Sequence, residues 1–321
     1  MSFRLASDEP VGDGLRRCAR EQLEAAITRL EDDVHEDPVS AVHGARKALK
    51  KERSLLRLSR GMLGQRERRR ENRALRDEAG RLGRSRDADA ILDALTALDE
   101  RFTGQIPQAT IVAVRERLHE ERYAARSALV EDDIPGRVAE ALRGSLEHVD
   151  RWRFRGRGWS ELSQGLGREY ARGRRAMRRA AQRPTPERMH DWRKRGKDLW
   201  YHLRLLEPMA PGMVRGQAKD AHRLADLLGD LHDLAVLGAA IPRLSTGVVA
   251  DTDALLALVE HRREQLAAEA FTLGARVYAE PTKLFLRRQH AYWRAWRHEA
   301  RAAAASRPAE LGALTRHPAP A

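Results

Sequence analysis

HGARKALK (residues 43–50) and HDWRKRGK (residues 190–197) are two copies of one phrase, and they decide the fold of this 321-residue chain. In each copy a histidine is followed by Arg-Lys at +3 and +4, by Lys at +7 and by Arg at +14. Because an α-helix turns once in about 3.6 residues, these offsets fall on one helical face about 21 Å long. The two cationic stripes consist of His43, Arg46, Lys47, Lys50 and Arg57, and of His190, Arg193, Lys194, Lys197 and Arg204. Two matched stripes indicate a long, repeating anion as ligand.

Hydrophobic periodicity predicts an all-α chain with an internal repeat. Apolar residues recur at helical spacing over 13–31, 38–60, 66–84, 87–101, 109–130, 161–182, 186–206, 215–234, 251–270 and 283–304. A joint rich in Gly, Trp and Arg at 152–160 separates two halves, about 10–150 and 151–302. We expect each half to be a helical bundle, the two related by a pseudo-twofold axis within one domain of residues 10–302. Residues 303–321 are expected to form a frayed tail.

A second pair of phrases extends the repeat. Leu-Gly at 82–83 leads to Asp87, and Leu-Gly at 228–229 leads to Asp233. A cation stands ten residues before each glycine, Arg73 in the first half and Lys219 in the second, and Arg76 and His222 stand seven before. These positions share a helical face in each half, and Arg76 and His222 are secondary candidates for anion binding.

A basic helix face is in most proteins a solvated surface, and three features argue against that reading here. The side of each helix opposite its basic stripe is apolar, so packing of the apolar side fixes the direction in which the basic side faces. Acidic residues at i±4, which would stabilise a solvated surface, are few. The repetition itself is the third feature. Glu52 interrupts the apolar arc of the first helix, and we expect it to pair with an arginine of a neighbouring helix.

Arginines on the helix before each stripe are further secondary candidates. In the second half they recur at i, i+4, i+7 and i+11; in the first half the match is looser. These residues are Arg168, Arg172, Arg175 and Arg179, and Arg17 and Arg20. Tyr201 and Trp200 are the aromatic residues near the stripes, and Tyr201 joins the secondary candidates.

Composition favours a cytoplasmic protein with an anionic partner. The net charge is +13, and it is segregated: residues 43–86 carry +11 and residues 151–205 carry +12. Such segregation focuses an anion-attracting field. Cys18 is the only cysteine, which excludes a disulfide framework and favours a reducing compartment. No apolar run approaches the ~20 residues of a membrane span.

The sequence carries no sign of a metal site or of catalytic residues. Lys47 and Lys194 occupy the i+4 positions at which a metal-binding partner of His43 or His190 would stand. His222, Asp226 and Asp230 have a ligand-like spacing, but we interpret them as a salt-bridging face. P-loop, nucleophile-elbow and HExxH motifs are absent. We therefore predict a binding protein without a cofactor, not an enzyme.

The paired phrases H-x-x-R-K-x-x-K-x₆-R and L-G-x-x-[RH]-D resemble those of the CHAD family, the conserved histidine α-helical domain. The resemblance covers roughly residues 10–300. It implies two pseudo-symmetric four-helix bundles whose basic faces line a central groove that binds inorganic polyphosphate. It also implies as ligands the residues of both stripes with Arg73 and Lys219. Asp198 stands where the first copy has Lys51 and departs from the family pattern. This departure implies that the second half binds the anion more weakly.

We expect polyphosphate binding to recruit the protein to polyphosphate granules. Two other functions compete with this prediction. Non-specific nucleic-acid binding would use the same charge, although the stripes lack the residue types that read bases. A polyphosphate or nucleotide phosphohydrolase is the third class. The sequence does not determine the oligomeric state.

Overall fold

The computed structural model describes residues 3–156, 158–244 and 252–314, and within these ranges all regular structure is helical. Short 3-10 turns lie at Asp33–His35, Ser59–Gly61 and Glu207–Met209. The α-helices are α1 (Val11–Glu31), α2 (Pro38–Leu58), α3 (Gln65–Arg81), α4 (Gly83–Arg101), α5 (Gln108–Glu131), α6 (Ile134–Asp150), α7 (Trp159–Gln182), α8 (Pro186–Leu206), α9 (Pro211–Leu244), α10 (Thr252–Val277) and α11 (Thr282–Leu314). The all-α prediction is confirmed.

The two helices that carry the repeated phrase begin with the same chemistry. The Asp37 carboxylate accepts the Ser40 backbone N–H at 3.1 Å and Pro38 fills the first turn of α2. The Thr185 hydroxyl accepts the Arg188 backbone N–H at 3.4 Å, with Pro186 in the first turn of α8. An acceptor followed by proline is a strong start signal, which explains why the sequence located these two helices closely.

Contacts between the halves hold α2 and α8 together. In the first half α1 packs on α2 and α6, in the second α7 packs on α8 and α11, and α2 contacts both α7 and α8. Gly165 of α7 lies directly on the end of α2, where a Cβ atom would collide with the Leu58 carbonyl oxygen. The Leu5 backbone N–H donates to the Leu205 carbonyl at 3.0 Å, so the N-terminal segment also crosses to the second half. One continuous hydrophobic core results.

Helix α6 was absent from the sequence prediction, which treated Pro135 as a break between helices. The carboxylate of Asp133 accepts the Gly136 backbone N–H at 3.3 Å, and Pro135 lies inside the first turn. Proline is compatible with a helix at this position because the first N–H groups have no partner within the helix. Val138, Ala139 and Leu142 then bury the inner face of α6.

The last helix also exceeds its predicted range. Helix α11 continues to Leu314, beyond the start of the predicted tail at 303. Four alanines at 302–305 explain the extension, since alanine has the highest intrinsic helix propensity. The remainder of the predicted tail, 315–321, lies outside the described residues.

Glu52 does not pair with an arginine, and that expectation is wrong. Its side chain is fully buried, and neither carboxyl oxygen has a hydrogen-bond partner among the described residues. Burial, together with the charge of nearby Glu71, raises the Glu52 pKa to about 8. Glu71 itself is paired with Arg70 (2.9 Å) and contacts His148 (3.3 Å). Glu52 is therefore protonated at neutral pH, which removes the cost of burying a charge.

None of the helices in the described ranges combines the length and the apolarity needed to cross a lipid bilayer.

Candidate functional site

A cavity of about 570 Å³ lies between α2 and α8 and is lined by residues of both stripes. We call it the central cavity. Helices α4 and α9 complete its wall. Its lining includes seven lysine and arginine side chains, three histidines and two aspartates. The lining residues are His43, Arg46, Lys50, Arg53, Arg57, Ala90, Ile91, His190, Arg193, Lys194, Lys197, Asp198, Tyr201, His232, Asp233 and Val236.

Helical periodicity aims the cations of α2 into the cavity. Lining positions follow one another at three- and four-residue steps from His43 to Arg57, while Ala45, Leu49 and Leu56 on the other side are fully buried. The buried side fixes the rotation of the helix, so the charged side faces the cavity whether or not a ligand is bound. Trp192 and Leu203 anchor α8 in the same way.

Arg46 joins the cavity wall to the junction of α3 and α4. Its Nη1 donates to the carbonyl oxygens of Leu82 (3.0 Å) and Gly83 (2.7 Å), where α3 ends and α4 begins. One guanidinium nitrogen therefore binds two successive carbonyl groups and ties α2 to this junction. Arg193, the counterpart of Arg46, packs on Gly229, where a Cβ atom would lie 3.4 Å from Arg193 Nε. The repeated Leu-Gly phrase thus provides the surface on which each stripe arginine rests.

An ion pair crosses from α2 to α8 at the cavity wall. Arg57 Nη1 donates to Asp198 Oδ1 at 3.0 Å, and Asp198 Oδ2 lies 2.9 Å from Arg195 Nη1. Arg195 is buried and also donates to the buried Glu169 at 2.8 Å. Arg57, a predicted ligand, therefore already has a carboxylate partner, and Asp198 holds two cations in place.

His190 is held neutral in the cavity wall. Its ring lies against that of His232, with centroids 4.3 Å apart. Burial, and then the charges of Lys194, His232 and Arg193, lowers the His190 pKa to about 4. The surrounding cations favour the uncharged ring, whereas phosphate oxygens beside it would favour the imidazolium form.

Lys47 and Arg204 belong to the stripes but do not line the central cavity. Both lie near Lys51. Burial, and then the charges of Arg204 and Lys47, lower the Lys51 pKa to about 8. Arg204 stacks over the Trp200 ring at 5.6 Å, and Lys197 reaches the same ring at 5.0 Å. A second group of cations therefore adjoins the cavity, with Lys197 between the two.

The remaining predicted residues lie outside the cavity lining, and several have carboxylate partners. Arg17 pairs with Glu9 and Glu21, Arg20 with Glu24 and Asp150, Arg76 with Asp77, Arg172 with Glu169, Arg179 with Asp191, and His222 with Asp226. Exposed surface outside the lining holds Arg73, Arg168, Arg175 and Lys219. The arginines of α1 and α7 do not extend the cavity wall, because these helices pack beside α2 and α8. Four of these arginines also pair with carboxylates, namely Arg17, Arg20, Arg172 and Arg179.

Four polar residues of the lining were not among the candidates. Arg53 lies one helical turn from Arg57, and its spacing from Lys50 could have revealed it. His232 and Asp233 belong to the second repeated phrase, whereas Asp198 is the position at which the two copies differ in sign. Among the described residues, no three His, Cys, Asp or Glu side chains are grouped so as to hold a metal ion.

Comparison with known proteins places the chain in a family. A solved structure, PptA from Streptomyces chartreusis, superposes with a TM-score of 0.60 at 16% sequence identity, covering 84% of this chain and 100% of that one. At this identity the match shows a shared fold. A comparison with curated proteins gives no match. The sequence model of the CHAD domain matches residues 17–242, well over half of the chain, and includes both repeated phrases. This protein therefore belongs to the CHAD family.

Proposed function

We propose that this protein binds inorganic polyphosphate in the central cavity. The observation that supports the proposal is the lining: two separate helices, α2 and α8, contribute seven lysine and arginine side chains to one space, six of them from the stripes, against two aspartates in the whole lining. Each internal phosphate of the polymer carries a negative charge, so successive phosphates would meet successive cations. Family membership supports the same ligand.

Binding would gain from counterion release and from preorganisation. Each cation that contacts the polymer releases condensed counterions, which makes the affinity fall steeply with salt. The buried faces of α2 and α8 hold their cations in place before binding, which lowers the entropy lost on association. Two pseudo-symmetric bundles, one behind each stripe, are part of this proposal. A chain long enough to contact both stripes would bind more tightly than two short ones, because the second contact is intramolecular.

We further propose binding without turnover, and recruitment of the protein to polyphosphate granules. The sequence supplies cations but no recognisable nucleophile, base or phosphate-activating motif. Phosphate release from polyphosphate, measured with and without Mg²⁺, tests the first statement. Co-localisation of the tagged full chain with stained granules tests the second.

The decisive experiment is a titration with polyphosphate of defined lengths at 50 and 200 mM salt. The variant Lys50→Ala/Lys194→Ala removes one cation from each stripe. Arg46 is left intact because it also supports the α3–α4 junction. We expect wild-type affinity to increase with chain length, and the variant to lose at least about tenfold with a shallower salt dependence, since two phosphate contacts are gone.

The matched control is Arg117→Ala/Arg223→Ala. Both side chains are exposed and lie outside the cavity lining, and the change in net charge is the same. If the control loses as much affinity as the cavity variant, general charge attraction explains the binding and the proposed site is wrong. Nucleic acid of matched charge, titrated in parallel, tests the alternative ligand.

A further inference from the structure

A third basic stripe runs along the exposed side of α11. Five further basic residues follow Lys283 at offsets of 4, 7, 11, 15 and 18, so all six lie on one face of the helix. The stripe is about 27 Å long. The stripe consists of Lys283, Arg287, His290, Arg294, His298 and Arg301. Glu299 is the one acidic residue of α11 up to position 306, and it lies well away from this arc.

The stripe borders an open groove of about 790 Å³ between α11 and the start of α7. We call it the α11 groove. His290, Arg294, His298 and Arg301 contribute to its lining, and no carboxylate does. In the described part of the chain, neither Arg294 nor Arg301 forms an ion pair with a carboxylate. These cations are therefore available to phosphate groups.

Aromatic rings are placed among these cations. The Trp159 ring is stacked on the exposed His290 ring, with centroids 5.6 Å apart and planes inclined by 6°. Trp293 lies 5.9 Å from Trp159 and forms the floor of the groove. Arg297 fixes this floor: its guanidinium lies 5.7 Å from the Trp293 ring centroid and donates to the Ser7 (2.7 Å) and Glu9 (3.1 Å) carbonyl oxygens.

The α11 groove is a separate site from the central cavity. The two share no lining residue. Helix α11 also lies outside residues 17–242, the part of the chain that matches the CHAD domain. A ligand of the α11 groove need not be the ligand of the central cavity.

We propose that the α11 groove binds single-stranded nucleic acid. Cations spaced along about 27 Å can follow a phosphate backbone, and the His290–Trp159 pair offers a platform on which a base extends the stack. Inorganic polyphosphate has no group that would use these rings. The α11 groove combines cations with aromatic rings, and this combination favours a nucleic acid with unpaired bases. In the central cavity the ring-bearing lining residues are Tyr201 and the three histidines.

The test measures binding of a fluorescent 15-nucleotide oligouridylate and of polyphosphate of matched charge to the full chain and its variants. Arg294→Glu/Arg301→Glu should weaken oligonucleotide binding at least about tenfold and reduce the salt slope by about 1.4, for two lost single-strand contacts. It should change polyphosphate affinity less than twofold. His290→Ala should weaken oligonucleotide binding about tenfold, and His290→Phe, which keeps a ring, should restore it.

Two controls make each outcome decisive. Arg117→Glu/Arg223→Glu carries the same charge reversal at exposed positions elsewhere, and Lys50→Ala/Lys194→Ala alters only the central cavity. The proposal is overturned if oligonucleotide affinity follows the cavity variant, if it follows the surface control, or if both His290 variants behave alike. Equal loss of polyphosphate affinity in Arg294→Glu/Arg301→Glu would also overturn it, because the groove would then be a general phosphate surface. Polyphosphate binding at the central cavity is tested separately, by the polyphosphate affinity of the Lys50→Ala/Lys194→Ala variant.

Discussion

Arg57 of α2 and Asp198 of α8 form an ion pair, 3.0 Å from Nη1 to Oδ1, in the wall of the central cavity. The pair crosses the boundary between the halves of the chain, and the first copy of the repeated phrase has Lys51 at the place of Asp198. A polyanion that enters the cavity must compete with Asp198 for Arg57. The same carboxylate also holds Arg195. Asp198 therefore stabilises the folded protein and lowers its affinity for a polyanion.

Asp198→Asn should bind polyphosphate more tightly and fold less stably. Removal of one negative charge beside the ligand should raise the affinity about threefold to tenfold. Loss of this carboxylate charge should cost about 1–3 kcal/mol in the free energy of unfolding, because the buried Arg195 loses one carboxylate partner but retains Glu169 at 2.8 Å. Titration and urea denaturation measure the two effects. Asp220→Asn, an exposed aspartate outside the cavity lining, is the control; lower affinity in Asp198→Asn would show that the carboxylate positions the cations instead.

His190 should make polyphosphate binding depend on pH. In the free protein its pKa is about 4, depressed from 6.5 by burial and by Lys194, His232 and Arg193, with Asp191 opposing. Phosphate oxygens in the cavity would raise the pKa again, so the complex takes up a proton and affinity increases as the pH falls from 7 to 5. We expect an increase of about tenfold.

Calorimetry in two buffers of different ionisation enthalpy measures that proton uptake directly. His190→Gln should lose most of the pH dependence, while His35→Gln, at an exposed histidine, should retain it. Equal pH profiles for wild type and His190→Gln would assign the titration to other groups.

Sequence and structure agree where local rules suffice. The starts of α2 and α8 follow from their capping residues, and the aim of Lys50 or Lys194 follows from helical periodicity. Long-range pairing does not follow from the sequence. Nothing local indicates that Arg57 meets Asp198, 141 residues away, or that the rings of His190 and His232 touch. The same limit applies to Arg20, because helical spacing does not predict the remote Asp150 that pairs with it.

Arg46 should contribute to stability as well as to binding. Arg46→Ala removes two hydrogen bonds to the carbonyl oxygens at the α3–α4 junction, at 3.0 and 2.7 Å, and should cost about 1–3 kcal/mol. Arg46→Lys retains the cavity charge but not the planar fork. It should recover much of the polyphosphate affinity and little of the stability, as urea denaturation would report. Full recovery of stability in Arg46→Lys would mean that charge, not the guanidinium geometry, supports the junction.

Glu52 should destabilise the protein as the pH rises. Burial and the nearby Glu71 raise its pKa from 4.5 to about 8 in the folded state. A carboxyl group whose pKa is raised by folding stabilises the folded state fully below pH 4.5, and this contribution is lost as the pH rises from 4.5 to 8. Glu52→Gln remains uncharged at every pH, so it does not undergo this loss of stability. At high pH its free energy of unfolding should exceed that of the wild type by about 2–4 kcal/mol.

Urea denaturation of wild type and Glu52→Gln at a series of pH values measures this difference. It should grow steadily between pH 5 and pH 8, because over this range the Glu52 carboxyl group is ionised in the unfolded wild type and must take up a proton to enter a buried site that lacks a hydrogen-bond partner among the described residues. The exposed Glu120 gives the matched control, since Glu120→Gln is the same substitution at the surface instead of in the core. Parallel curves for wild type and Glu52→Gln would mean that water or a cation reaches Glu52, and that α2 is less tightly packed behind its basic stripe than the buried carboxyl group implies.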